Sequence, residues 1–374
     1  MPPSPQPPSS SPRPQRPDQP SPKRPDRPSA PAPMPRQPSV PPIDPSKPIL
    51  ILGATGAFGG ALAFEFLNTD RRVRLLVREN KRAIARFGPY SRADYVRGDV
   101  TNAALVSEAA AGCSVIVHAV NCPYTQWDPF MRTATENVIA AARENGATIL
   151  FPGNVYPLGP PPTWKAKGKI PPPNPPLRED APAKPVTKKG RFRAELEEAM
   201  KTATADGRCR VINLRAGDYF GPTARNALTD AIFGSAARGK APRHFGRADV
   251  PHQWVYLPDL AYAATKLLEL STRFAPYQVV NFAGHTAETQ REFLDLVREH
   301  GGASGKPRCT SWSMVRLASL VNPMAKEMLE LRYLFDEALL LDDSFLRRIV
   351  PGFHATPIGE AITATIQSYR SEQR

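Results

Sequence analysis

Three glycines at positions 53, 56 and 59 follow directly on the apolar run Ile49-Leu50-Ile51-Leu52, and their spacing is the chain's plainest chemical signal. A short strand that enters a glycine turn and opens a helix is a cradle for a dinucleotide phosphate. Gly53 permits the tight turn, Gly56 lets the main chain approach a pyrophosphate, and Gly59 allows close packing of helix on strand. The anion rests on free N–H groups at the positive end of the helix, in a turn completed by Thr55, Ala57 and Phe58. The spacing by itself also fits an ordinary glycine-rich turn. The helix-forming run 61–67 behind it supplies the context of a cradle.

The elements that would position this turn can be read along the chain. Residues 72–77 read as a second strand and 93–96 as a short third strand ending at Arg97-Gly98-Asp99. A helix is expected over 101–111 with Thr101 as its N-cap, then a buried strand over 114–120. A long amphipathic helix over 128–145 and a fifth strand over 148–151 follow. Strand and helix alternate with short gaps, so the expected class is α/β, a Rossmann-type doubly wound parallel sheet. Residues 157–185 hold 11 prolines without periodicity, which reads as a lid or insertion. A helix over 187–205 and strands over 210–214 and 278–282 resume the pattern. The expected organisation is a nucleotide-binding domain over 48–370, in which about 216–370 form a smaller, substrate-facing portion.

Composition narrows the partners. The first 48 residues contain 20 of the 44 prolines and few large apolar side chains, so residues 1–47 read as a disordered, partly polyproline-II tail. Such a tail is either simply solvated or a ligand for an unidentified proline-recognising partner. The net charge is +14, but the basic residues are scattered and form no nucleic-acid motif. Attraction of anionic substrates and phosphates accounts for the charge. No signal peptide and no membrane span are expected, and Cys113, Cys122, Cys209 and Cys309 lie far apart without metal-ligand spacing. A cytoplasmic protein with reduced thiols and no metal is expected, and a homodimer is compatible with it.

Several segments together resemble the short-chain dehydrogenase/reductase superfamily, in its extended NAD-dependent epimerase/dehydratase-like branch. They are the glycine turn, Gly98-Asp99-Val100, His118-Ala119-Val120, Asn154-Val155-Tyr156, Leu214-Arg215-Ala216-Gly217-Asp218-Tyr219-Phe220-Gly221-Pro222 and Gln253-Trp254-Val255-Tyr256-Leu257-Pro258-Asp259-Leu260-Ala261. By this resemblance Asp99 and Val100 border the adenine, and Ala119 the nicotinamide ribose. The segment after the second strand, Val77-Arg78-Glu79-Asn80-Lys81-Arg82, puts a guanidinium where NAD enzymes carry an acid, so Arg78 favours NADP over NAD.

The resemblance also implies a Ser or Thr after the fifth strand and a Tyr with a Lys four residues later, the group that exchanges a proton while hydride moves. Here Pro152-Gly153-Asn154 lacks the hydroxyl. Aligned on Glu195, the Tyr position is Thr187 and the Lys position is Arg191. Arg191 can still hold a ribose hydroxyl or phosphate. Candidate replacements are Tyr156, Asn154 and Lys188, with Lys189 beside it, while Tyr219 and His252 are candidate substrate contacts. The run Arg191, Arg193, Glu195, Glu197, Glu198, Lys201 reads as a solvated helix face. The expected function is an NAD(P)-dependent oxidoreductase or epimerase for a small carbonyl or hydroxyl substrate. The rival is a nucleotide-binding redox sensor without turnover.

Overall fold

The computed structural model describes residues 40–88, 90, 92–160 and 175–372. Its centre is a seven-stranded parallel sheet built from β1 (Ile49–Leu52), β2 (Val73–Val77), β3 (Ala93–Arg97), β4 (Val115–His118), β5 (Thr148–Asn154), β6 (Arg210–Ala216) and, last in the chain, Tyr277–Phe282. In space the order runs from Tyr277–Phe282 through β6, β5, β4, β1 and β2 to β3. Ile51 of β1 therefore lies between Leu75 of β2 and Val117 of β4. The order reverses between β1 and β4, and the crevice at the strand ends there is where such sheets take ligands.

β1 is apolar throughout because both of its faces are covered. Ile49 and Ile51 pack with Leu62 and Phe66 of α1 (Ala57–Asn68) and with Leu260 and Ala264 of the helix Leu257–Glu269. Leu50 and Leu52 pack on the other side with Val106 of α3 (Ala103–Ala110) and Val138 of α4 (Trp127–Asn145). Burying such a side chain contributes about 1.5–3 kcal/mol, so this pair of cores anchors the glycine turn. α2 (Asn80–Phe87), between β2 and β3, was not expected from the sequence, whereas α5 (Lys188–Ala203) was.

A smaller layer sits at the carboxyl ends of the strands. It contains a three-stranded sheet of Asp218–Phe220, His252–Tyr256 and His285–Ala287, and a two-stranded pair of Arg243–Phe245 and Arg308–Thr310. Phe220, Phe233, Trp254 and Phe293 fill its core together with the helix Ile358–Ser371.

Four details differ from the sequence reading. Val40 is buried and Ile43 packs on the first core, so the domain begins before residue 48; the rest of the expected tail lies outside the described residues. Asn102, not Thr101, caps α3 by accepting the Leu105 N–H, because Thr101 donates its hydroxyl to Asp99 instead. In the proline-rich stretch, residues 161–174 lie outside the described residues. Its return arm is tied down: Leu177 N–H donates to Leu340 and Lys184 N–H to Pro157. Finally, Arg193 does not belong to a solvated face; it is 5% exposed.

Candidate active site

The glycine turn has the form that a diphosphate requires. Gly53 adopts φ +89°, and a Cβ there would stand 2.4 Å from the Ala119 carbonyl oxygen. A Cβ on Gly59 would stand 2.4 Å from the Gly53 carbonyl oxygen, so strand, turn and helix meet backbone to backbone. Gly56 occupies the N-cap of α1 in extended conformation and offers no side chain to the helix end. The N–H groups of Ala57, Phe58 and Gly59 consequently find no acceptor among the described residues, while Gly60 bonds back to Gly56. Three unpaired amides at the positive end of a helix fit an anion.

Beyond the turn lies a basic corner. Arg86 of α2 donates to the Thr55 carbonyl at 3.0 Å and stacks on Phe64 and Phe87. Burial, then the like charge of Arg225, pushes this guanidinium below its usual value. Gly60 is required for the approach, since a Cβ there would meet the Arg86 Nη2 at 2.5 Å. Arg78 is exposed, and its charge reaches Asp99. The Asp99 carboxylate accepts both the N–H and the hydroxyl of Thr101 at 2.9 and 2.7 Å. Partial burial pushes its carboxyl up, but those two bonds and Arg78 outweigh burial and hold it below the usual range. Val100 is buried beside it.

At the ends of β4 and β5 the structure gathers a tyrosine cluster. Tyr156 follows β5, and its phenol meets that of Tyr124 at 3.0 Å. Burial, then Tyr124 and the negative charge of Asp218, hold the Tyr156 phenol well above its ordinary value. Burial raises Tyr124 as well, partly offset by its bond with Tyr156. Asn154 accepts the Tyr156 N–H at 3.1 Å through its amide oxygen. Its NH2 group donates to no protein group among the described residues, which leaves it open toward a ligand. Tyr219 stacks on Phe58 of the first helical turn, ring centres 6.3 Å apart, and feels the charge of Arg193 as the tyrosine pair does. Its phenol too is raised by burial, against the opposing charge of Arg193. His252 bonds to Asp218 at 2.9 Å, so it approaches the cluster through that carboxylate.

α5 presents a different pair from the one expected. Thr187 is the N-cap, and its hydroxyl accepts the Gly190 N–H. Arg191 is exposed and its guanidinium donates to the Val186 carbonyl, and Lys188 is exposed too. The face turned inward carries Lys189 and Arg193, one helical turn apart and 4% and 5% exposed. Arg193 donates to the Pro152 carbonyl at 2.5 Å and lies over the Phe151 ring at 4.4 Å. Lys189 lies over the Tyr124 ring at 5.1 Å, and its ammonium pairs with Glu327 and Glu330 of the helix Pro323–Glu330. The expected Thr187/Arg191 pair is thus replaced, shifted by two residues. The alignment on Glu195 selects residues two positions before this face; Glu197, whose side chain is 12% exposed, lies on it, 3.6 Å from buried Arg215. Tyr124, Arg193 and Asp218 were not selected from the sequence. The i, i+4 spacing of Lys189 and Arg193 is the one sequence signal that puts both on a single helix face.

Comparison with known proteins agrees with this geometry. The profile of the NAD dependent epimerase/dehydratase family matches residues 49–283. Among solved structures, the UDP-glucuronic acid 4-epimerase of Bacillus cereus, determined with NAD, superposes with TM-score 0.69 at 14% identity, covering 87% of this chain and 100% of that one. The Bordetella bronchiseptica enzyme WbmH with NAD+ gives TM-score 0.66 at 17% identity, over 87% and 98% of the two chains. A double mutant of DesIV, a dTDP-glucose 4,6-dehydratase from Streptomyces venezuelae, gives 0.68 at 16%, over 87% and 97%. No curated protein matches the chain. With its glycine cradle, reversal of strand order and profile match, the chain belongs to the NAD-dependent epimerase/dehydratase family.

Proposed function

We propose that this protein is an NAD(P)(H)-dependent enzyme that reduces, oxidises or epimerises a small carbonyl or hydroxyl substrate, using a tyrosine pair and two buried cations in place of the usual catalytic set. The observation that carries the reading is the set of unpaired amides of Ala57, Phe58 and Gly59, in a turn where a Cβ on Gly53 or Gly59 would meet the backbone at 2.4 Å. The bound forms of the similar solved structures, which hold NAD, support a nicotinamide. The first-turn amides would hold its diphosphate, Ala119 would border its ribose, and Asp99 and Val100 its adenine. When bound, the nicotinamide supplies or accepts the hydride.

The protein side of the reaction is proton management. A phenol whose pKa is raised stays protonated at neutral pH and can still pass its proton to a more basic alkoxide. Tyr156 would donate its proton to a carbonyl oxygen as that oxygen becomes an alkoxide, Tyr124 would return a proton to Tyr156 across their hydrogen bond, and water at the partly exposed Tyr124 would replace that proton. Arg193 supplies positive potential beside the pair, which stabilises a developing oxyanion, while Lys189, paired with Glu327 and Glu330, packs over the Tyr124 ring. The Asn154 NH2 can bond the same oxygen. Arg78, exposed and without a protein acceptor among the described residues, favours NADP, since the Asp99 carboxylate is already engaged by Thr101.

Mass spectrometry of nucleotide released from the purified protein should find NADP(H) or NAD(H). A screen of carbonyl substrates, followed by loss of nicotinamide absorbance, should then find turnover. Nucleotide binding without turnover across a broad screen would support the rival reading, a redox sensor. Arg78→Glu should weaken NADP binding about tenfold or more and leave NAD binding little changed in calorimetry; equal losses would remove Arg78 from the 2′-phosphate.

A further inference from the structure

The helix Trp312–Ala318, the turn behind it and the helix Pro323–Glu330 form a hairpin that no catalytic argument uses at its tip. That tip is unusually apolar for an exposed surface. Leu317, Leu320 and Val321 are 70%, 77% and 88% exposed, and Met314 and Met324 are exposed beside them. Val315, on the opposite side of the first helix, is buried, so the hairpin already has its inward face filled. Large exposed aliphatic side chains gathered at one protruding turn mark an interaction surface rather than scattered surface residues.

The charge around the tip identifies what it meets. Residues 302–326 contain Lys306, Arg308, Arg316 and Lys326 and not one Asp or Glu. All four cations are exposed, and none forms an ion pair among the described residues. The acids that follow, Glu327 and Glu330, are turned inward to Lys189. An aliphatic tip flanked by the exposed, unpaired cations Arg316 and Lys326 matches the boundary of an anionic bilayer: acyl chains receive the tip and lipid phosphates the two cations. A protein partner would be expected to meet mixed charges and polar groups at such a rim. No helix among the described residues is long and apolar enough to cross a membrane, so the contact is one of lying on the surface.

We propose that the hairpin tip 314–324 docks the protein on anionic lipid membranes. The docking hairpin is the same element that pairs with Lys189 at the tyrosine cluster, so docking would set the candidate site beside the bilayer. The proposal stands independently of the reaction assigned above.

The test is flotation of the full chain with vesicles of phosphatidylcholine alone or with about one-third phosphatidylglycerol. The protein should float with the anionic vesicles and not with the neutral ones. The double variant L320E/V321E should lose this binding by about tenfold or more. R316A/K326A should weaken it by roughly thirtyfold. Both variants alter exposed side chains, so unchanged thermal melting and near-ultraviolet dichroism would show that each still folds. Absence of wild-type binding to anionic vesicles overturns the proposal. So does binding that both variants retain, which would assign the attraction to the basic N-terminal tail. Sedimentation showing a dimer that L320E/V321E dissociates, without vesicle binding, would assign the tip to a second copy of the chain and also overturn it.

Discussion

Gly56 shows how one residue decides whether a helix end caps itself or binds a ligand. It sits at the N-cap with extended backbone, where Asp is among the preferred residues because its carboxylate accepts first-turn N–H groups. Gly56→Asp should therefore keep the fold and hold or raise the melting temperature, although its Cβ would lie 3.2 Å from the Gly53 carbonyl oxygen. The same carboxylate would fill the amides and repel a diphosphate. Calorimetry should find NAD(P) binding weakened at least a hundredfold, about 3 kcal/mol; intact affinity would remove the turn from the binding site. Tyr156→Phe makes the complementary test at the other end. It deletes one oxygen and leaves the ring packing, so nucleotide affinity should persist while turnover falls about a hundredfold or more. Unchanged turnover would return Tyr156 to a packing role. The sequence alone pointed to both residues, because glycine spacing and a tyrosine behind a strand are local signals. Tyr124 was invisible to it, since its partnership with Tyr156 spans 32 residues and exists only once α4 has packed on β5.

Elements were legible wherever one periodicity governed them. β1, buried on both faces, reads as an unbroken apolar run, and α4 reads as a long amphipathic helix. Failures came where polar side chains serve buried faces. α5 carries basic and acidic residues on all sides, so its sequence does not announce which face is inward; Arg193 is buried by stacking on Phe151 and bonding to Pro152, neither of which has a sequence signature. His118, at the end of β4, is similar. It is fully buried, and its Nε2 pairs with the Thr135 hydroxyl of α4 at 2.9 Å. Burial, then the charge of Arg193, holds its pKa down to about 3, against an ordinary value near 6.5. Above pH ~6.5 the ring is neutral in folded and unfolded chain alike, and contributes no pH dependence. Below that, the unfolded chain takes a proton that the folded chain refuses, so stability falls as the pH drops toward 3 and levels off beneath it. The loss from this group has an upper bound of roughly 5 kcal/mol. Urea titrations at stepped pH should find the slope, and His118→Gln should flatten it; an equal slope in the variant would assign acid sensitivity elsewhere.

For the molecule as a whole, the parallel sheet could be read from the chain, but the way the carboxyl-terminal portion closes over it could not. The contact is carried by long-range pairs whose partners lie 88 to 141 residues apart. Lys189 meets Glu327 and Glu330, Gln253 meets Leu341, and Asn281 meets Leu177. The first of these makes a directional prediction. The Lys189 side chain is 5% exposed, whereas Glu327 and Glu330 retain 29% and 27% exposure. Removing both acids strands a buried ammonium, which costs roughly 3–5 kcal/mol. Removing the lysine strands two carboxylates that already reach water. Lys189→Met also keeps an apolar stem of similar shape against the Tyr124 ring, so its cost should stay below about 2 kcal/mol. The double variant E327A/E330A should therefore melt well below both wild type and Lys189→Met. The triple variant should recover most of the loss, because no buried charge is then left without a partner. A Lys189→Met variant as unstable as E327A/E330A would mean that the lysine, and not the pairing, holds the two portions together.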